Sequence, residues 1–156
     1  MVLPVSEAAL AAFDAPPYDI RQIRDSKSLT DVAAISHEIG RTDVKEEQDR
    51  LALILQDTPD QMSVYVAYVE GEAVACGRIH FKENSEFAEI CGGRTKTTHR
   101  RKGLYTALVA ARLREAFERN RKYVFVDALP TSEPILGKRG FRFLIHTQPF
   151  VYRPAP

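Results

Sequence analysis

Cysteine is scarce in this chain. Only Cys76 and Cys91 occur in 156 residues, and neither belongs to a C-x-x-C pair. Both lie in apolar, strand-like runs, and the four histidines are scattered. That pattern offers no zinc-ligand spacing and no disulfide framework, so the expectation is two buried, reduced thiols and no metal. Long hydrophobic runs are lacking as well, and no stretch is apolar enough to cross a bilayer. The N-terminal residues have no cationic region, and Glu7 interrupts their apolar run, which is unlike a signal peptide. A cytoplasmic protein without a membrane partner is expected. Neither charge dominates. Lys and Arg number 22 against 21 Asp and Glu, a net charge of +1 that gives no argument for a nucleic-acid or membrane partner.

What is present suits one ordinary domain, long enough to bury a core without staples. Residues 1–17 are Ala-rich and end in Ala15-Pro16-Pro17. They read as a short helix or arm followed by a stiff linker, either a tail from a longer parent chain or a contact arm of a homodimer. Residues 18–156 then form the domain. Tyr18–Arg24 is a short strand. Asp25 or Ser26 caps a helix ended by Gly40, and Thr42 or Asp43 caps a second one running through Leu55. Ser63–Glu70 and Ala73–Lys82 form a hairpin about Gly71-Glu72, and Phe87–Thr95 is a third strand. The pair Gly92-Gly93 inside it predicts a bulge or a close backbone approach. Leu104–Arg119 is the longest helix, with Leu104, Ala107, Leu108 and Ala111 on one face. Tyr123–Leu129 is a buried-type strand, Pro130–Lys138 a short helix, and Phe141–Tyr152 a last strand or hairpin. The order β-α-α-β-β-β-α-β-α-β predicts an α/β (α+β) fold with helices on both faces of a mixed sheet.

The most informative stretch is Thr95–Thr106, where a strand ends, a basic turn follows and a long helix begins. Free N–H groups at a helix start, together with its dipole, attract an anion. Gly103 permits close approach, and Arg100, Arg101 and Lys102 add positive charge. A pyrophosphate fits such a loop, although many strand-turn-helix junctions bind nothing.

Arg100-Arg101-Lys102-Gly103-Leu104-Tyr105 resembles the Q/R-x-x-G-x-G/A loop of the GNAT superfamily of N-acetyltransferases. Leu136-Gly137-Lys138-Arg139-Gly140-Phe141 resembles that family's closing Y-E-K-x-G-F, at the usual interval. The likeness covers most of residues 18–153. It implies a mostly antiparallel sheet of six to seven strands, acetyl-CoA as acyl donor, and a small-molecule or peptide amine as acceptor. It also implies that the backbone of Gly93, Arg94, Thr95, Lys96 and Thr97 pairs with the pantetheine arm. N–H groups of Arg101, Gly103, Tyr105 and Thr106, beside Arg100, Lys102 and Leu104, would meet the pyrophosphate. The strands beginning near Phe87 and Tyr123 would splay to admit the thioester. Two positions depart from the family: Tyr105 replaces the usual Gly or Ala, and Leu136 replaces a Tyr that protonates the leaving thiolate.

Acyl transfer needs a neutral amine, a donor to the carbonyl oxygen and a proton for the thiolate. For the first, Phe87-Ala88-Glu89-Ile90 is similar to the histone-acetyltransferase branch, where that glutamate is the general base. A solvent-facing strand glutamate is the alternative. The N–H of Thr95 or a neighbour serves the second. Tyr105 and Ser132 are candidates for the third, with Ser132 as a plain helix cap the competing reading. Arg94 and Lys96 alternate around Thr95 and are expected to line one side of the cofactor channel, or else to form a solvated basic edge. The alternative to a catalyst is a module that holds acyl-CoA without turnover, or a detached half of a larger acetyltransferase. A nucleic-acid-binding use of Arg94–Lys102 lacks interleaved aromatics.

Overall fold

The computed structural model describes residues 1–148 and 150. Strands are β1 (Val2–Pro4), β2 (Asp19–Ile23), β3 (Met62–Val69), β4 (Glu72–Phe81), β5 (Phe87–Thr95) and β6 (Tyr123–Phe125). Helices are α1 (Glu7–Ala11), α2 (Leu29–Glu38), α3 (Val44–Asp57), α4 (Leu104–Glu118) and α5 (Glu133–Gly137). The strands form one sheet in the order β1-β6-β5-β4-β3-β2. Every neighbouring pair is antiparallel except β5–β6, which is parallel and joined through α4. No helix among the described residues is long and apolar enough to cross a membrane.

The sheet divides two cores. On one face α4 packs Val109, Leu113 and Ala116 against Ile79, Ala88, Ile90 and Val124. On the other, α2 and α3 lay Leu29, Val32, Ile35 and Leu51 over Ile23, Val64, Val66 and Cys76. Turn chemistry sets the register. Glu70 and Gly71 both take positive φ at the β3–β4 turn, one residue ahead of the expected Gly71-Glu72, as a two-residue hairpin loop requires. Cys76 is buried and Cys91 only half-buried, and both are free.

Residues 1–17 contribute an edge strand and a core side chain: β1 pairs with β6, and Phe13 lies in the core at 1% exposure. Two expectations change. The strand expected over Tyr123–Leu129 stops at Phe125. The strand expected over Phe141–Tyr152 is reduced to one bridge between Arg142 and Val2 over residues 141–148, because β1 already occupies the edge of β6. The part of that expected strand at residue 149 and residues 151–152 lies outside the described residues.

Candidate active site

The site grows from the bulge in β5. Cys76 pairs with Arg94 and Arg78 with Cys91, so Gly92 and Gly93 together oppose Gly77 alone. Gly92 has φ +61°, which glycine adopts at little cost. Beyond the bulge β5 keeps β4 on one side. Its other edge has no strand partner among the described residues, because pairing with β6 ends at Glu89↔Phe125. The backbone of residues 90–95 is thus an open edge, which an extended chain can join by main-chain hydrogen bonds.

The turn after β5 passes through a short 3-10 segment, Thr97–His99, and reaches α4 through Arg101 (φ +61°) and Gly103 (φ +87°). Gly103 is the N-cap, and no side chain caps the helix. The first bond into the helix runs from the Ala107 N–H to the Gly103 carbonyl at 3.0 Å. The N–H groups of Leu104, Tyr105 and Thr106 therefore end the helix without an intrahelical acceptor. Arg100, Arg101 and Lys102 are exposed around them. Tyr18, which the sequence did not mark, braces the loop by donating its phenol to the Lys102 carbonyl.

Arg94 and Lys96 do not line this channel with their side chains. Arg94 reaches to the α2–α3 side and donates to Ser36 (2.6 Å) and to both oxygens of Glu47 (2.5 and 2.7 Å). Arg78 joins the same carboxylate at 2.7 Å. Lys96 pairs with Glu72 at 2.6 Å and Glu38 at 3.2 Å. Their charges are neutralised by acids brought from distant parts of the chain, which no local pattern around Thr95 reveals.

Tyr105 and Ser132 come together. The Tyr105 ring lies over the bulge, so that a Cβ on Gly93 would meet its Cε2 at 2.9 Å. Burial raises the phenol above its ordinary pKa, opposed by the Arg112 charge and by the nearby Ser132 hydroxyl. Ser132 also caps α5 by position, its hydroxyl donating to the Leu129 carbonyl at 3.1 Å. Leu136 is fully buried in the α4-side core, so its place in the closing motif is a packing position.

Glu89 faces the opposite side of the sheet from α4. Phe125 flanks it on β6 and His80 on β4. Burial and the nearby Asp127 carboxylate raise its pKa, partly offset by Arg78. His80 is pushed down by burial first and by Arg78 and Arg50 next. No described helix covers this part of the sheet. Phe87 stacks on Tyr123 at 4.9 Å and meets Phe125 edge-on at 6.5 Å, yet Phe87 and Phe125 stay exposed. A cleft past the end of β6 is lined by Asp127, Glu133, His146 and Thr147. Asp127 there accepts a hydrogen bond from the Thr147 hydroxyl at 3.3 Å. No group of three or more potential metal ligands occurs among the described residues.

The acetyltransferase (GNAT) family matches this chain over residues 28–141. No curated protein matches. Among solved structures, a predicted acetyltransferase from Clostridium acetobutylicum crystallised with acetyl-CoA is similar at 18% identity and a TM-score of 0.71, over 86% of this chain and 96% of that one. Glucosamine-6-phosphate N-acetyltransferase from Arabidopsis thaliana is similar at 18% identity and a TM-score of 0.69, over 88% and 99%. An aminoglycoside acetyltransferase from an uncultured soil metagenomic sample, in complex with sisomicin, is similar at 16% identity and a TM-score of 0.63, over 86% and 96%.

Proposed function

The chain belongs to the GNAT acetyltransferase family, and on that premise we propose that it moves the acetyl group of acetyl-CoA onto a primary amine by direct attack on the thioester. The observation that carries this reading is the uncapped start of α4 set beside the open edge of β5. The N–H groups of the Arg101–Thr106 loop take the pyrophosphate, and Gly103 admits it because no Cβ stands there. The backbone of Gly93–Thr97 receives the pantetheine arm as an added strand. That path delivers the thioester to the notch where β5 and β6 part.

The α4 side of the sheet is filled, so the amine approaches from the uncovered face. Glu89 accepts a proton from the incoming ammonium, and its raised pKa suits a base. The neutral nitrogen bonds to the carbonyl carbon, an N–H of Thr95 or a neighbour holds the oxygen as it gains charge, and the C–S bond breaks with its electron pair on sulfur. Tyr105, kept as a phenol by burial with Ser132 beside it, gives the thiolate a proton, and the second proton, which the nitrogen sheds as the amide forms, replaces it. The acceptor's carbon body lies along Phe87, Tyr123 and Phe125, which favours an amine with an aromatic or alkyl group. The alternative, a module that binds acyl-CoA without turnover, rests on Leu136, a core side chain that cannot protonate the thiolate, and on the lack of a certain base.

Acetyl-CoA is expected to raise the melting temperature of the wild type by mass action. Gly103 has φ +87°, so any side chain there adds strain. Gly103→Ala carries that strain alone, while Gly103→Glu adds a carboxylate facing the pyrophosphate. The shift should survive in the alanine variant and vanish in the glutamate variant. Thiol release with phenethylamine, spermidine and glucosamine then tests turnover. A folded wild type that acetyl-CoA does not stabilise sinks the proposal.

A further inference from the structure

Among the described residues Arg112 is the largest fully buried side chain, at 1% exposure, and no carboxylate there pairs with it. It projects from α4 two turns beyond Tyr105, on the same side of the helix. Its Nε donates to the Leu108 carbonyl at 2.9 Å. Its Nη1 donates to the carbonyls of Arg78 (3.1 Å) and Cys91 (3.3 Å). Those two residues are register partners, the last pair of the β4–β5 ladder before the Gly92-Gly93 bulge. Its Nη2 is buried without a partner. The residue beneath the guanidinium is Gly77, where a Cβ would stand 2.8 Å from Cζ and Nη1. One unneutralised cation therefore ties α4, β4 and β5 together at the root of the bulge.

A charge buried without a counter-ion costs several kcal/mol, and an apolar side chain of similar volume packs the same space more cheaply. A merely structural strut has no need of the charge. We propose that Arg112 is a positioning residue for acyl transfer: it pulls the Arg78 and Cys91 carbonyls toward α4 and so fixes the glycine bulge that sets the course of the β5 edge beyond it, where the Thr95 N–H would meet the thioester. The same charge opposes the effect of burial on the Tyr105 phenol, whose ring rests on Gly93 of that bulge. The inference rests on the acetyl-transfer reading above.

The test compares wild type, Arg112→Met, Arg112→Lys and Gly77→Ala. The last leaves the arginine in place but pushes its guanidinium off the two carbonyls. Thiol release from acetyl-CoA is followed with phenethylamine and, without any amine, as hydrolysis. Arg112→Met should hold or raise the melting temperature, because it removes an unpaired buried charge. Its kcat should fall about tenfold or more while the KM for acetyl-CoA changes less than about twofold, the pattern of an interaction felt in the transition state. Gly77→Ala should lose kcat by a similar factor, the double variant should be no worse than either single one, and Arg112→Lys should recover part of the rate. Wild-type kcat in a folded Arg112→Met or in Gly77→Ala overturns the inference. So does a loss of kcat matched by equal losses of melting temperature and acetyl-CoA binding, or additive effects in the double variant. If Arg112→Met does not fold, Gly77→Ala and Arg112→Lys decide by the same criteria. A wild type that releases no thiol under either condition overturns the transferase reading itself, and the inference with it.

Discussion

The resemblance at Phe87–Ile90 offers Glu89 as a base candidate against an ordinary solvent-facing glutamate, and its surroundings set what a test of that role should read. A strand glutamate facing water titrates in the ordinary carboxylate range and abstracts protons poorly at neutral pH. Here burial and Asp127 both favour the protonated form, and Arg78 only partly opposes them. The ionised form does the work of a base, so kcat/KM should climb as pH rises through this raised value and level above it. Glu89→Gln is expected to lower kcat about 100-fold and to erase that acidic limb, read from a pH–rate profile of thiol release. An unaltered profile in the variant would return Glu89 to an ordinary surface role. The contrast with Arg94 and Lys96 shows where local reading stops. Their positions beside Thr95 were visible, but their partners Glu47, Glu38 and Glu72 lie 24 to 58 residues away. A side chain with two faces of a sheet to choose from goes where the fold supplies its counter-charge. Arg112 did leave a trace, as a charged residue on the apolar side of α4.

At the scale of elements, glycines, caps and hairpin turns were sufficient for most of the chain: β5 spans Phe87–Thr95 as its pattern predicts, and α2, α3 and α4 lie within a residue or two of theirs. Their docking depends on an ion cluster that pattern does not show. Glu47 of α3 is 6% exposed and bridges Arg78 of β4 and Arg94 of β5, while Ser36 of α2 joins through Arg94. Burial acts to raise the Glu47 pKa, but its hydrogen bonds and charges with the two arginines prevail and hold it at about 2. A depressed carboxylate stabilises the fold above its unfolded pKa, near 4.5, and loses that contribution as pH falls toward 2. Glu47→Gln leaves two buried guanidinium groups short of a counter-ion and should cost about 3–5 kcal/mol in urea unfolding at pH 7. Between pH 4.5 and pH 2 the wild type should lose stability faster than the variant. Parallel pH dependence of the two would show that the cluster does not couple α2 and α3 to the sheet.

For the whole molecule, the main surprise is at the N-terminal segment. Its Ala-rich, Pro-ended composition resembles a detached arm, since neither strand nor core signals stand out in seventeen residues. The fold uses them all the same. β1 supplies the edge strand beside β6, and Leu3 joins the α4-side core. Phe13 packs edge-on against Phe141 of the closing motif at 5.9 Å between ring centroids. The chain then passes the turn before α4, where Pro16 and Tyr18 lie within 4.0 Å of where a Cβ on Gly103 would stand. An arm that only touches the surface would lose little on truncation of one side chain. A core residue at 1% exposure behaves differently. Phe13→Ala should cost about 3–5 kcal/mol, the transfer free energy of a phenyl group plus the cavity it leaves. For a domain of this size that corresponds to a fall of roughly 6–20 °C in melting temperature. The m-value should stay constant, because the variant unfolds the same surface. A change within about 0.5 kcal/mol would mean that residues 1–17 sit on the domain as an arm after all. A loss of the expected size would tie the segment's packing to the stability of the sheet that carries the β5 edge.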